Sequence, residues 1–113
     1  MENDAILEAA LRVAASMGDP DPQSVECVTG ASRARTVHLF SGGGISDDQD
    51  QPVVAVQMRG RFVGYAAAPP LGHSLPTGSV LTVEMDSSGR VLGWGVGDRV
   101  ADLAQFGKVM RLR

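Results

Sequence analysis

The stretch Ser79–Val96, SVLTVEMDSSGRVLGWGV, decides how the rest of the chain is read. Val80, Thr82, Glu84 and Asp86 alternate with Leu81, Val83 and Met85, so a strand here has one apolar face and one wet face. The turn sequence DSSG follows, and a second apolar run begins at Val91, which predicts a hairpin of strands over 79–86 and 90–96. Asp86 sits beside that turn, where a carboxylate commonly accepts backbone N–H groups two or three residues on.

Upstream, PVVAVQMRGRFVGYAAAPP contains two apolar runs divided by Arg59-Gly60. Glycine can adopt the positive φ of a tight turn, so the pair predicts a second hairpin, with strands over 53–58 and 61–67. Segments 24–30 and 34–41 are also rich in Val and Thr and read as strands.

The chain begins differently. In NDAILEAALRVAASMGDPDP the residues Ile6, Ala10, Val13, Ala14 and Met17 follow helical spacing, with Leu7 and Leu11 beside them and Glu8 and Arg12 opposite. Asn3 or Asp4 is the expected N-cap, Gly18 the expected residue past the C-terminus, and Pro20 and Pro22 forbid continuation. At the other end, GDRVADLAQFGKVMRLR places Val100, Leu103 and Phe106 at helical spacing after Asp98 and before Gly107. That predicts a short helix, after which 109–112 can return as an edge strand.

These elements predict one α+β domain over residues 1–113, an N-terminal helix packed on an antiparallel sheet of about five or six strands with a short C-terminal helix. The alternative is a small all-β barrel or sandwich with the helix as a lid. A chain of 113 residues falls within the usual size of one domain and can fold without staples.

Composition excludes several functions. A net charge of −3 argues against a phosphate-backbone binder, whose affinity needs clustered Lys and Arg, so nucleic acid is not an expected partner. Aromatic residues are only 4% of the chain, too few for a base-stacking platform. No apolar run approaches the ~20 residues needed to span a bilayer, and MENDAILEAALRVAAS lacks the basic start and apolar run of a leader. With Cys27 the only cysteine, no intramolecular disulfide can form, and a cytoplasmic location is expected.

Two stretches imitate functional motifs. In LFSGGGISDDQDQP the run Gly42-Gly43-Gly44 lacks the Lys-Ser/Thr of a P-loop, and Asp47, Asp48 and Asp50 lack the spacing and distal Glu of a calcium loop. It reads as a connecting loop. Cys27, His38 and His73 lack the short paired spacings of structural zinc sites, and neither histidine has a neighbour that marks it as the base for a thiol. No metal, cofactor or catalytic residue is expected, and Cys27 reads as a small buried hydrophobe facing away from Glu26 and Val28.

The partner-binding candidates are Arg33, Arg35, Arg59 and Arg61, which would form a basic strip for an acidic partner if the first two strands lay beside the 53–67 hairpin, and Trp94, flanked by glycines. The competing readings are charge that blunts strand edges for the arginines, and a core or edge anchor for the tryptophan.

Over the last third, Val80-Leu81-Thr82, Asp86, Gly89-Arg90-Val91, Asp102-Leu103 and Gly107-Lys108-Val109-Met110-Arg111-Leu112 follow an order that resembles small uncharacterised high-GC, actinomycete-type bacterial proteins. Of the ten basic residues nine are Arg, a bias that points to the same origin. The hairpin VEMDSSGRV is similar to the last hairpin of PepSY-type domains, in which one helix precedes a small antiparallel sheet. Neither resemblance implies an activity.

The expected function is therefore a small non-enzymatic binding or accessory module acting through a sheet face, an edge strand or a loop, with a protein partner or a second copy of itself. A homodimer is expected because PVVAVQM and SVLTVEM carry little charge to blunt a sheet edge. The alternative is a small enzyme or ligand-binding domain with a pocket between helix and sheet, to which Cys27, His38 or Arg35 contributes.

Overall fold

The computed structural model describes residues 2–36, 51–65 and 71–113. The element order is α1 (Asn3–Ser16), β1 (Ser24–Ser32), α2 (Arg33–Thr36), β2 (Pro52–Val63), β3 (Thr77–Met85), β4 (Val91–Gly97), a 3-10 turn (Leu103–Phe106) and β5 (Met110–Arg111). The strands form one five-stranded sheet in the order β4-β3-β2-β1-β5, and every pairing is antiparallel. The architecture is α+β. With β4 and β5 at opposite edges the sheet is open, and the closed-barrel alternative is not what forms.

Helix α1 starts one residue before its expected caps, with Glu2 in the N-cap position and no side-chain cap. Its end is as the sequence implied: Gly18 takes φ 94°, and the amides of Met17, Gly18 and Asp19 donate to carbonyls of the last turn. Ile6, Ala9, Ala10 and Ala14 are buried against Val25 and Cys27 of β1, Val54, Val56, Met58 and Phe62 of β2, and Leu81, Val83 and Met85 of β3. Three alanines on that stripe let the helix axis approach the sheet closely.

The Arg59-Gly60 hairpin does not form. β2 runs unbroken through both residues, and the register against β3 shifts between Arg59 and Phe62, which makes the pair a bulge. The reason lies in the α1–β1 connection. Asp19 Oδ2 accepts the Arg61 amide at 2.9 Å, and Arg59 O accepts from Gln23 N at 2.7 Å, so the groups freed by the bulge are satisfied without a chain reversal. Nor does a strand begin at residue 34, as expected over 34–41: Arg33–Thr36 forms a single helical turn, and the remainder of that expected strand lies outside the described residues. Residues 37–50, including His38 and most of the LFSGGGISDDQDQP stretch, lie outside the described residues, as do 66–70.

The 79–86 and 90–96 hairpin forms as expected, with β3 paired to β4. Asp86 Oδ1 accepts from Ser88 N at 2.9 Å, Ser88 Oγ at 2.6 Å and Arg90 N at 3.0 Å, while Gly89 supplies the positive φ of 88°. The Ser88 hydrogen bond and the Arg90 amide hold the Asp86 carboxyl below its ordinary range.

After β4 the chain crosses the sheet face opposite α1 and returns as β5 beside β1. The predicted short helix is one 3-10 turn over Leu103–Phe106, capped by Asp102, whose carboxylate accepts the Ala104 amide at 3.2 Å. Asp98, the expected cap, instead accepts from Ser79 N at 3.0 Å and Ser79 Oγ at 3.2 Å. Leu103 is buried on Val28, Ala31 and Val53, with Leu92 and Phe106 packed around them, while Val100 is left 48% exposed. This crossing covers part of the second face.

Candidate functional site

The second face is built from the residues that the alternation of β3 called wet. Thr82 and Glu84 are in fact 6% and 2% exposed. Each meets a glycine on β4, in the pairs Thr82 with Gly95 and Glu84 with Gly93, and Val80 likewise meets Gly97. Between Gly93 and Gly97 β4 thus offers backbone on this face, while Leu92, where the register is irregular, packs beside Leu103. A Cβ added at Gly93 or Gly97 would meet nothing within 4 Å, and neither residue has a positive φ.

A groove of about 730 Å³ lies over the Gly95–Gly97 end of this floor, bounded by Val80 and Thr82, by the crossing segment Asp98–Asp102, and by Gln105, Phe106 and Arg35. Its wall is fixed to the sheet by a reciprocal amide pair: Gln57 Nε2 donates to Ala101 O at 3.2 Å, and Ala101 N donates to Gln57 Oε1 at 2.7 Å. Gln57 is 4% exposed and satisfies both sides of its amide here, imitating a backbone partner for the crossing chain.

Arg35 closes one end. Its Nη2 donates to Gln105 O at 2.7 Å, and its guanidinium lies 5.7 Å from the centroid of the Phe106 ring, within cation–π range. What holds α2 in position is the residue two places earlier. Arg33 Nε lies 2.9 Å from Glu84 Oε1, an ion pair with both side chains buried, and Thr36 Oγ1 lies 3.1 Å from Glu84 Oε2 and 3.2 Å from Arg33 O. The contact between Arg33 Nε and Glu84 Oε1 brings opposite charges together inside the fold. Burial pushes the Glu84 carboxyl above its ordinary range, opposed by the Thr36 hydroxyl and the Arg33 charge.

The expected basic strip is divided. Arg33 and Arg35 sit on α2 near the start of β2, where Arg33 N donates to Gln51 O at 3.0 Å, and Arg59 lies seven positions along the strand from Pro52, roughly 23 Å away at strand rise. Arg59 and Arg61 are exposed, Arg33 is buried and Arg35 faces the groove. Trp94 lies on the α1 side of β4, opposite Val83 and packed on the core; a Cβ on Gly64 would come within 3.0 Å of its ring.

Cys27 is fully buried beneath α1, and burial raises its thiol pKa. His73 is exposed, and among the described residues no three His, Cys, Asp or Glu side chains come together as a metal site. Among them also, no helix is long and apolar enough to cross a membrane. The residues that sequence reasoning passed over are Glu84, Gln57 and the glycines at 93, 95 and 97. Their signal was the spacing of the glycines, which repeats with the strand period and so marks one face. No protein-family model matches the chain, and no curated protein or solved structure matches it either.

Proposed function

We propose that this chain is a small non-enzymatic binding module whose working surface is the second face of its sheet. The observation that carries this reading is the groove over the bare backbone of β4, next to the arginine that α2 presents. Glycine inside a strand gives up packing and costs chain entropy, and its usual reasons are a bend or the close approach of a ligand or another backbone. The groove is of the size that takes a small molecule or a few side chains of a partner.

The alternative, an enzyme with a pocket between helix and sheet, has less behind it. That layer is filled by Ile6, Ala10, Ala14 and their neighbours, and the thiol within it is shifted away from reactivity. Substituting Gly97→Leu tests the binding reading, because its side chain enters open space and fills the groove while the fold persists. In affinity capture from cell extract, a component held by the wild type is expected to be lost from Gly97→Leu. A component held equally by both would place the function elsewhere.

A second copy of the chain is a partner that the edge of the sheet favours. PVVAVQM and SVLTVEM belong to the central strands β2 and β3, so they are not the edges the sequence suggested; the rim strand β4, VLGWGVG, carries no charge or proline, and no described strand pairs with its outer side.

A further inference from the structure

The groove contains two arginines and two aspartates, and their contacts divide them. Asp98 and Asp102 are both engaged with backbone amides, those of Ser79 and Ala104. Arg35 forms no ion pair among the described residues, and Arg99 forms neither an ion pair nor a hydrogen bond among them. Each aspartate thus has its Oδ1 engaged by the protein, whereas the guanidinium groups retain most of their donors. One N–H of Arg35 is spent on Gln105 O, and the rest of its five remain. The Phe106 ring, 5.7 Å from the guanidinium carbon, and the bond to Gln105 O hold the Arg35 head at the groove, where its remaining N–H groups can meet a carboxylate or phosphate.

The floor adds a second requirement. Neither backbone conformation nor internal packing calls for glycine at 93 or 97, since both have ordinary φ and open space where a Cβ would stand. Where Gly95 and Gly97 line the groove they leave main chain uncovered by side chains, bordered by Val80 and Phe106. A flat body can lie in contact with such a floor; a bulky branched one cannot fill it without gaps. At about 730 Å³ the volume falls within the ~300–1,000 Å³ of small-molecule sites.

We propose that the groove binds a small flat molecule bearing a carboxylate or phosphate, with the anionic group on Arg35 and Arg99 and the flat body on the glycine floor. This rests on the reading of the second face as the working surface and names the chemical class that it takes. The Arg33–Glu84 pair then serves as a positioning device, holding the turn from which Arg35 reaches the ligand.

The test uses 2-naphthoate as probe and the neutral 2-naphthalenemethanol as its comparator, titrated by calorimetry against the full chain and against Arg35→Gln and Gly97→Val. Arg35 is exposed and the Gly97 side chain would enter open space, so both variants should fold, to be checked by thermal melts. Expected are binding of 2-naphthoate to the wild type, weaker binding of the alcohol, and about a tenfold or greater loss in each variant. Loss in Gly97→Val without loss in Arg35→Gln overturns the anionic class and leaves the groove as the working surface. Absence of binding to the wild type overturns the proposal, and binding indifferent to both substitutions overturns it together with the groove reading.

Discussion

Glu84 shows how a single buried carboxylate can be costly to keep and more costly to lose. Desolvation raises its pKa above 4.5, so the folded chain holds the proton more tightly than the unfolded chain does. Its contribution to stability is therefore greatest below about pH 4.5 and falls as pH rises through the folded value. Yet removing the carboxylate strips the counter-ion from the buried Arg33 guanidinium. Glu84→Gln is expected to cost about 3 kcal/mol at neutral pH, the low end of the range for breaking a buried pair, because Arg33 has a further contact. The same variant should lose the decline in stability above pH 4.5, as read from urea midpoints across a pH series. Asp86 has the opposite sign: its lowered pKa makes a contribution present above 3.8 and lost as pH falls through the folded value, and Asp86→Asn should flatten that acid limb. Cys27 gives a third residue-level outcome. With its thiol fully buried and its pKa raised, alkylation at neutral pH should proceed only as fast as the core opens, and Cys27→Ala should cost on the order of 1 kcal/mol. Alkylation rates with and without mild urea, set beside denaturation curves, check both.

At the scale of elements, Gly60 marks where local pattern and tertiary context part. Its dipeptide reads as a turn, but the carboxylate of Asp19, forty-two residues from Arg61 in contact terms, accepts the Arg61 amide and lets β2 continue. A Cβ on Gly60 would run into that carboxylate and come 3.1 Å from the Phe62 ring. Gly60→Ala is thus expected to cost about 2 kcal/mol, the scale of a charge-assisted hydrogen bond, measured by chemical denaturation. The elements that were legible in the sequence are those whose signals are local: the helix closed by Gly18 and two prolines, and the hairpin around Asp86. Those that were not depend on partners far along the chain. α2 forms where a strand was expected because Arg33 and Thr36 are bound to Glu84, forty-eight residues beyond Thr36. The candidate site divides in the same way: Arg35 was singled out from its charge, whereas the floor beneath it needed the strand register, which turns three separated glycines into one surface. Thr82 and Glu84 were read as solvated because alternation distinguishes two faces and cannot tell that a later segment crosses one of them.

The whole molecule has both faces of its sheet at least partly clothed, one by α1 and the other by the 98–109 crossing, so a second copy is not needed to hide an apolar layer. That moves the case for self-association from the faces to the edges. At one edge β5 is two residues long, too short to template another strand. The other edge is β4, seven residues without a charge, and among the described residues what interrupts it is the irregularity of register between Glu84 and Met85, opposite the Val91 end, with Gly93–Gly97 in regular register. Antiparallel pairing of β4 with its copy would join two sheets about a two-fold axis, the commonest symmetry of soluble oligomers, and would place both grooves on the same side of the joined sheet. The main-chain bonds of so short a segment give modest affinity, so the dimer should form in the micromolar range and dissociate on dilution. Light scattering is expected to give a mass rising from 11.8 kDa toward twice that value as concentration increases. Val91→Lys sets a charge on the edge at a residue already 40% exposed, and it should hold the chain at the monomer mass without lowering its melting temperature. A mass of 11.8 kDa for the wild type across a hundredfold range of concentration would show that the edge stays unpaired and would overturn the dimer.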